Sequence, residues 1–339
     1  MIKVGVIGLG MMGLTHLDAY GKRGDVKVLA ISDKLTDRLE GKTKAAGNVE
    51  GQAQGGFDFA SVRKYIEGME LIRDPRIDLV DICLPTPMHL EFALAALAAG
   101  KHVMVEKPLC RTAADAQKLA DAADNANGLS MVGMCMRFWP GWTWLKRAVA
   151  QQTYGKVLAA QFRRVCNHPG GGFYSNGELC GGGILDLHIH DTDFVQYLFG
   201  MPRSVYSAGY SKVTSEIDHV LTLYQYDDVP MVVAEGGWAM ADGFGFSMHY
   251  AVNFERATAV FDFPAANPLM LYEPRKPPQP VELEGGMGYD HEIAYFLDCI
   301  REGRPPQTVT FRDAVSCLKI VEAESMSAKT GKAIALTTR

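Results

Sequence analysis

Residues 3–13, KVGVIGLGMMG, place an apolar strand in front of Gly8, Gly10 and Gly13, and LTHLDAYGKR behind them reads as a helix. A strand that runs through G-x-G-x-x-G into a helix leaves few folds open. Gly8 permits the tight turn, Gly10 lets backbone amides approach a pyrophosphate, and Gly13 lets the helix pack on the strand. The motif alone is weak, because glycine-containing loops match it by chance. Here a second strand, VKVLAISD (26–33), ends in Asp33, twenty positions beyond Gly13. A carboxylate at that distance accepts hydrogen bonds from the adenosine ribose hydroxyls, which favours NAD; its alternative role is a helix N-cap. Lys34 and Arg38 can meet a 2′-phosphate, so NADP stays open. Met11 and Met12, between the glycines, are expected among the cofactor contacts.

The same grammar continues. Strands DLVDICLP (78–85), HVMVEKP (102–108) and LSMVGMC (129–135) alternate with the Ala/Leu-rich helical stretches 89–101 and 113–126. Near-continuous apolar strands separated by helices predict an α/β domain, a doubly wound parallel Rossmann sheet covered on both faces. The Gly-rich insert 47–61 reads as a surface loop. After about residue 135 the pattern changes. RFWPGWTWLKRAVAQ (137–151) predicts a connecting helix, and the strand-like segments 156–165, 203–212, 218–226, 229–239, 246–254 and 257–263 follow without helices between most of them. Strands in series predict an open, mostly antiparallel sheet. Helices near 289–302 and 311–329 close the chain. The expected division is a dinucleotide-binding domain over 1–125 and an α+β domain for substrate binding and oligomerisation over 126–339.

Composition narrows the partners. A net charge of −5 gives no electrostatic reason for nucleic acid or an anionic membrane, and no apolar run reaches the length of a membrane span. The seven cysteines are scattered, odd in number and never spaced as C-x-x-C, against both a disulfide framework and a cysteine zinc site. A reducing cytoplasm is the economical compartment.

VMVEKPL brings Glu106, Lys107 and Pro108 to the carboxyl end of a strand, the end that faces the ligand crevice of an open α/β sheet. A lysine there can polarise a substrate oxygen, and the X-Pro bond, cis or trans, fixes its direction. A plain surface turn is the alternative for the tripeptide taken alone. PTPMH (85–89) ends the preceding strand in the same manner, so Thr86, Pro87 and His89 are expected near the nicotinamide, with Glu106.

GGGILDLHIHD (181–191) holds Asp186, His188, His190 and Asp191 behind three glycines. Read as a helix up to the stop at Gly200 and Pro202, residues four apart share a face, about 40° apart around the axis. Asp186 and His190 then stand together and Asp193 continues their face. His188 lies roughly 160° from His190 and cannot share a small ligand with it. That weakens a metal reading, since H-x-H chelates on strands, and no metal is expected. His188 is assigned to helix packing.

Together GLGMMG, PTPMH, EKPL, GGGILDLHIHD and the ending FRDAVSCLKIVEAESMSAKTGKAI resemble the glucose–fructose oxidoreductase and inositol dehydrogenase (Gfo/Idh/MocA) family over nearly the whole chain. The resemblance implies NAD(P)-dependent oxidation or reduction of a carbohydrate-like alcohol or ketone by a homodimer or homotetramer. It matches Lys107 to the family's E-K-P lysine and Asp186 and His190 to its D-x-x-x-H pair. On that footing Lys107 stabilises alkoxide charge and His190 is the acid/base, while Asp186 or Asp193 holds the imidazole or a substrate hydroxyl. His168, Tyr174 and Asn176, in the polar loop 166–178, are further candidate substrate contacts. Arg137 and Trp139 follow the last Rossmann strand, where the resemblance implies cofactor- or substrate-facing residues, with core or interface packing the alternative for Trp139; Trp238 and Tyr289 read as structural. An NAD-dependent glycosidase of the same superfamily and a non-catalytic dinucleotide sensor are the alternatives.

Overall fold

The computed structural model describes residues 1–42 and 56–336. Most of the insert expected at 47–61 lies outside them; its described end, 56–61, forms neither helix nor strand. The described chain divides into two compact units, Met1–Cys135 with Gly288–Val315, and Met136–Met287 with Ser316–Arg339. This corrects the boundary expected at residue 125. Strand Ser130–Gly133 still belongs to the first sheet, and the segment from Gly288 returns to the first unit.

The first unit is built on six parallel strands, β1 (Ile2–Ile7), β2 (Val26–Ser32), β3 (Arg63–Tyr65), β4 (Leu79–Ile82), β5 (His102–Glu106) and β6 (Ser130–Gly133), in the order β3-β2-β1-β4-β5-β6. This is the doubly wound order, with its switch point between β1 and β4. Helices α1 (Met11–Gly21), α2 (Thr36–Leu39), α3 (Gly68–Arg73), α4 (His89–Ala98) and α5 (Ala113–Asp124) connect the strands. β4 is buried at all four positions, as expected of a strand covered on both faces. β3, of sequence RKY, has no apolar signature and was absent from the sequence reading; it forms because β2 offers an open edge at Ala30–Ser32. The returning helix α10 (Gly288–Glu302) packs against α1 and β6.

The second unit begins with α6 (Pro140–Ala150), started by a proline at its first turn. Its sheet uses β7 (Val157–Asn167), β8 (Ser204–Tyr210), β9 (His219–Gln225), β10 (Met231–Met240), β11 (Phe246–Phe254), β12 (Thr258–Phe263), β13 (Leu269–Tyr272), β14 (Gln279–Pro280) and β15 (Ile334–Ala335), ordered β14-β13-β12-β11-β7-β10-β9-β8-β15. Every pairing is antiparallel except β7 with β10. Two helical turns, α7 (Gly171–Tyr174) and α8 (Gly177–Cys180), precede a π turn over Ile184–His188 that runs straight into α9 (Ile189–Phe199), and α11 (Phe311–Thr330) ends the chain's helices. Side chains alternate along β9: Val220, Thr222 and Tyr224 are buried, Leu221 and Leu223 exposed. Trp142 of α6 anchors the covered face, edge-on to Phe261 at 4.5 Å and to Tyr250 at 5.1 Å between ring centroids. Such pairs add about 0.5–1.5 kcal/mol each beyond area burial.

Candidate active site

The glycine loop has two crowded glycines and one open one. Gly8 has φ +92°, and a Cβ there would meet the Cys83 carbonyl oxygen at 2.5 Å; a Cβ on Gly13 would meet the Gly8 carbonyl oxygen at 1.9 Å. Gly10, the N-cap of α1, has nothing within 4 Å of its Cβ position, and the first turn of α1 carries no acidic residue. Helix amides with no anion of their own, beside open space, are the cradle a pyrophosphate requires, so these residues fit a dinucleotide. Met11 and Met12, half-buried, begin that helix.

Asp33 follows β2 and is 8% exposed. Its Oδ2 accepts the Leu9 N–H at 2.8 Å and its Oδ1 the Leu35 N–H at 2.9 Å, so one carboxylate ties the glycine loop to the turn after β2. The N-cap of α2 is Leu35, not Asp33. Arg38 reaches Asp33 at 3.3 Å, and exposed Lys34 lies 3.9 Å from Glu67.

After β4, Thr86 is buried and Pro87 exposed in a 3₁₀ turn, Thr86–Met88, that feeds α4. His89 turns out to be a bracket. It is 1% exposed, and its Nδ1 lies 2.9 Å from the Pro108 carbonyl oxygen and its Nε2 2.7 Å from that of Leu84. It thereby joins the turn after β4 to the turn after β5. Burial, against the carbonyl contacts, holds its pKa below the ordinary value. Lys107 is half-buried directly after β5, its peptide with Pro108 is cis, and its N–H donates to Glu106 Oε2 at 3.1 Å.

In the second unit the D-x-x-x-H stretch is not one α-helix. The π turn over Ile184–His188 holds Asp186, so α-helical spacing applies only from Ile189 onward. Asp186 and His190 are half-buried while His188 and Asp191 are fully buried. His188 Nε2 lies 3.3 Å from the Tyr224 hydroxyl and 3.4 Å from Glu324 Oε1; a Cβ on Gly236 of β10 would strike its ring. Asp193, considered above as a partner for His190, makes a two-pronged ion pair with buried Arg137, at 2.8 and 2.7 Å. Asp191 pairs likewise with Arg164, at 2.8 and 3.2 Å.

The loop candidates are engaged locally. His168 Nδ1 accepts the Gly170 N–H at 3.0 Å, which leaves Nε2 protonated to donate to the Tyr174 carbonyl at 3.1 Å. Asn176 caps α8 through Oδ1, while Tyr174 packs edge-on to Trp238 at 5.8 Å. Trp238 is buried and donates its indole N–H to Asp218 at 3.0 Å. Trp139 is buried and Tyr289 half-buried.

Residues 2–134 match the family model described as an oxidoreductase family with NAD-binding Rossmann fold, and residues 142–260 match the Gfo/Idh/MocA C-terminal domain. The chain belongs to the Gfo/Idh/MocA family. Among its curated relatives, myo-inositol 2-dehydrogenase of Thermotoga maritima is 33% identical over 64% of this chain and 60% of that protein. D-glucoside 3-dehydrogenase of Escherichia coli is 30% identical over 63% of this chain and 59% of that protein, so the matched stretch spans about 60% of either relative. Inositol 2-dehydrogenase of Salmonella typhimurium is 26% identical over 97% of this chain and 95% of its own. A levoglucosan dehydrogenase structure, in complex with NADH and levoglucosan, shares the fold at TM-score 0.85 and 20% identity, over 99% of this chain and 100% of that one.

This Gfo/Idh/MocA chain also buries a polar group that the motifs did not disclose. His16, on the buried face of α1, places Nδ1 2.8 Å from Asp81 Oδ2 and Nε2 3.0 Å from Glu106 Oε1, the second contact lacking hydrogen-bond alignment. The Tyr20 hydroxyl also donates to Asp81, at 2.9 Å. Burial, the largest single influence, would lower the His16 pKa, but the charges and hydrogen bonds of Asp81 and Cys83 together outweigh it and the imidazole is raised well above its ordinary value. Burial and Asp81 push the neighbouring Cys83 thiol up. The signal was present as polar residues inside apolar patterns, His16 between Gly13 and Tyr20, and Asp81 within LVDI.

Proposed function

We propose that this chain is an NAD(P)-dependent dehydrogenase that moves a hydride between the nicotinamide and a secondary alcohol or ketone carbon of a sugar or cyclitol. The observation that carries the reading is Lys107, half-exposed at the carboxyl end of β5 with its backbone held by Glu106. Inositol, glucoside and levoglucosan dehydrogenases among the relatives support the substrate class. Gly8, Gly10, Met11, Met12, Gly13 and Asp33 hold the dinucleotide, with Thr86, Pro87 and Glu106 bordering it. His89 acts by fixing the two turns. NAD(P), when bound, supplies the hydride acceptor or donor.

The Lys107 ammonium stabilises the charge on the substrate oxygen as an alkoxide develops. His190, as a neutral imidazole, takes the hydroxyl proton, and Asp186 binds a neighbouring hydroxyl or orients the ring. Asp193 is held by Arg137, which fixes its carboxylate on the α9 face. The Asp33 carboxylate, repelling a 2′-phosphate, makes NAD the preferred cofactor over NADP, with Arg38 moderating the preference. Of the loop residues, Tyr174 and the amide of Asn176 remain candidates for substrate contact, and His168 shapes the loop. The exposed face of the second sheet, with Leu221, Leu223, Tyr206 and Met231 at 43–49% exposure, is where a homodimer or homotetramer would form.

The test is absorbance at the NADH band during a screen of cyclitols, glucosides, anhydrosugars and their keto derivatives with both cofactors. Net NADH accumulation is the expected result. Release of a glycosyl leaving group without it would replace the dehydrogenase by a glycosidase, and no turnover across the panel despite NAD binding would leave a sensor.

A further inference from the structure

Glu292 lies on the buried face of α10 with Ile293, Phe296 and Leu297, and is 0% exposed. Neither of its carboxyl oxygens has a hydrogen-bond partner. One Glu292 oxygen, one Glu106 oxygen and a ring nitrogen of His16 lie within 4.8 Å of one another. The groups acting on Glu292 are Glu106 of β5, His16 of α1 and Asp81 of β4, and Tyr20 and Cys83 join the set through Asp81. Asp18, Lys22 and Asp290 pair with one another at the solvent side of the α1–α10 contact. His16 is thus the single cationic group of the buried set, and it is already placed between Asp81 and Glu106.

An ionised Glu292 would be a desolvated charge beside a second carboxylate with no donor of its own, the costliest state available to it. A proton removes that cost. A divalent cation would remove it too, but a hard cation takes about six or more oxygen ligands, and this set offers two carboxylates and an imidazole that Asp81 already engages.

We propose that Glu292 stands in the fold as a neutral carboxylic acid that holds Glu106 in place, which makes it a positioning residue for the turn carrying Lys107. The connection is direct, since the same Glu106 that meets His16 through Oε1 and stands beside Glu292 accepts the Lys107 N–H through Oε2. Gly133 of β6, opposite Glu106, leaves the room; a Cβ there would come to 3.0 Å from Oε1. Burial first, and the Glu106 charge second, push the Glu292 carboxyl well above the usual range. The consequence for Lys107 rests on the catalytic reading given above, whereas the protonation state does not.

A carboxyl raised in the folded state contributes stability that is full below its unfolded pKa, about 4.3, and is lost as pH rises toward its folded value. Glu292→Gln keeps the shape and the neutral charge. Its melting temperature should exceed that of the wild type at pH 9, with the gap closing toward pH 5. Infrared spectra in D₂O at pH 8 should show a carboxylic C=O band in the wild type that is missing from Glu292→Gln. Glu292→Leu, neutral but without a donor, should lose about tenfold in kcat with KM for NAD within twofold, and Gln should restore it to within threefold of the wild type.

Absence of the band in the wild type, a pH-independent difference in melting temperature, or one equivalent of metal by elemental analysis would each overturn the proposal. Kinetic loss in Gln as large as in Leu would overturn the positioning role. Should Leu fail to fold, the band and the melting profile of Gln still decide. If instead Lys107→Ala keeps its turnover, the catalytic reading falls while the band stands.

Discussion

Helix α9 of the second unit and the cluster around His16 of the first bury charge in opposite ways. In the second, each buried carboxylate of α9 meets a guanidinium in a two-pronged pair, Asp193 with Arg137 and Asp191 with Arg164, and all four side chains are at most 3% exposed. In the first, Asp81, Glu106 and Glu292 share one imidazole. Arginine cannot give up its proton, so its pairs are fixed charges that hold helix and sheet in register. Histidine and a buried glutamic acid exchange protons with the solution, so the first unit carries an adjustable charge beside the strand end from which Lys107 emerges. Rigid pairs suit a platform; proton-bearing groups suit the neighbourhood of the hydride transfer proposed above.

That contrast is most sharply tested on α9 itself, where half-buried His190 directly precedes buried Asp191 and Asp193. His190→Ala should lower turnover by about 10²–10⁴-fold, the usual range for a lost acid/base, and leave unfolding in urea and NAD affinity nearly unchanged. Near-normal turnover in that variant would remove His190 from the chemistry. Lys107→Ala should behave the same way in the first unit.

Arg137→Ala should do the converse. It strands a buried Asp193 charge, and removing one partner of such a pair costs about 3–5 kcal/mol. Urea unfolding of the Arg137→Met, Asp193→Leu double variant should recover most of that loss, because apolar groups of similar volume carry no stranded charge. A double variant as unstable as the single one would mean that the pair does more than satisfy itself.

The residues legible in advance were those whose chemistry depends on local sequence. The glycine loop, the strands at 3–9, 26–33, 78–85 and 102–108 and the E-K-P turn follow from short-range patterns. What stayed hidden depends on long-range pairing. Arg137 and Asp193 are 56 positions apart, and His16 and Asp81 are 65 apart. Glu292 belongs to a helix that rejoins a sheet completed more than a hundred and fifty residues earlier, after Gly133. The π turn was invisible for another reason: its residues carry an ordinary helical pattern, and only the hydrogen-bond ladder distinguishes it. Likewise β15, two residues long, owes its existence to the edge offered by β8.

The units should also answer pH in opposite directions. Asp218 accepts the Lys212, Val213 and Thr214 N–H groups and the Thr214 hydroxyl; these bonds outweigh its burial and hold its pKa down, to about 2. A lowered carboxyl contributes stability that is present above its unfolded pKa, about 3.9, and is lost as pH falls toward the folded value. Asp218→Asn should therefore be less stable than the wild type at pH 7, with the difference shrinking between pH 4 and pH 2, about the value held by Asp218. His16 acts in the opposite sense, its stabilisation fading as pH rises above about 6.5. Melting curves of Asp218→Asn below pH 4 and of His16→Gln above about pH 6.5 separate an acid-sensitive cluster in the second unit from an alkali-sensitive one in the first. Parallel profiles would show that these clusters do not set the pH limits.

The smallest effect concerns cofactor choice, and Asp33 makes it instructive. Its carboxylate has two duties, since it accepts the Leu9 and Leu35 amides while its charge repels a 2′-phosphate. Asp33→Ala would lose both duties at once and weaken binding of either cofactor. Asp33→Asn keeps the size and one acceptor oxygen and removes the charge, and Arg38, 3.3 Å away, is then released toward a phosphate. The expected change is about tenfold in the ratio of kcat/KM for NAD to that for NADP, roughly 1.4 kcal/mol, with KM for both cofactors rising severalfold from the looser loop. An unchanged ratio with raised KM values would assign Asp33 wholly to the loop, and the preference would then have to come from Lys34 and Arg38.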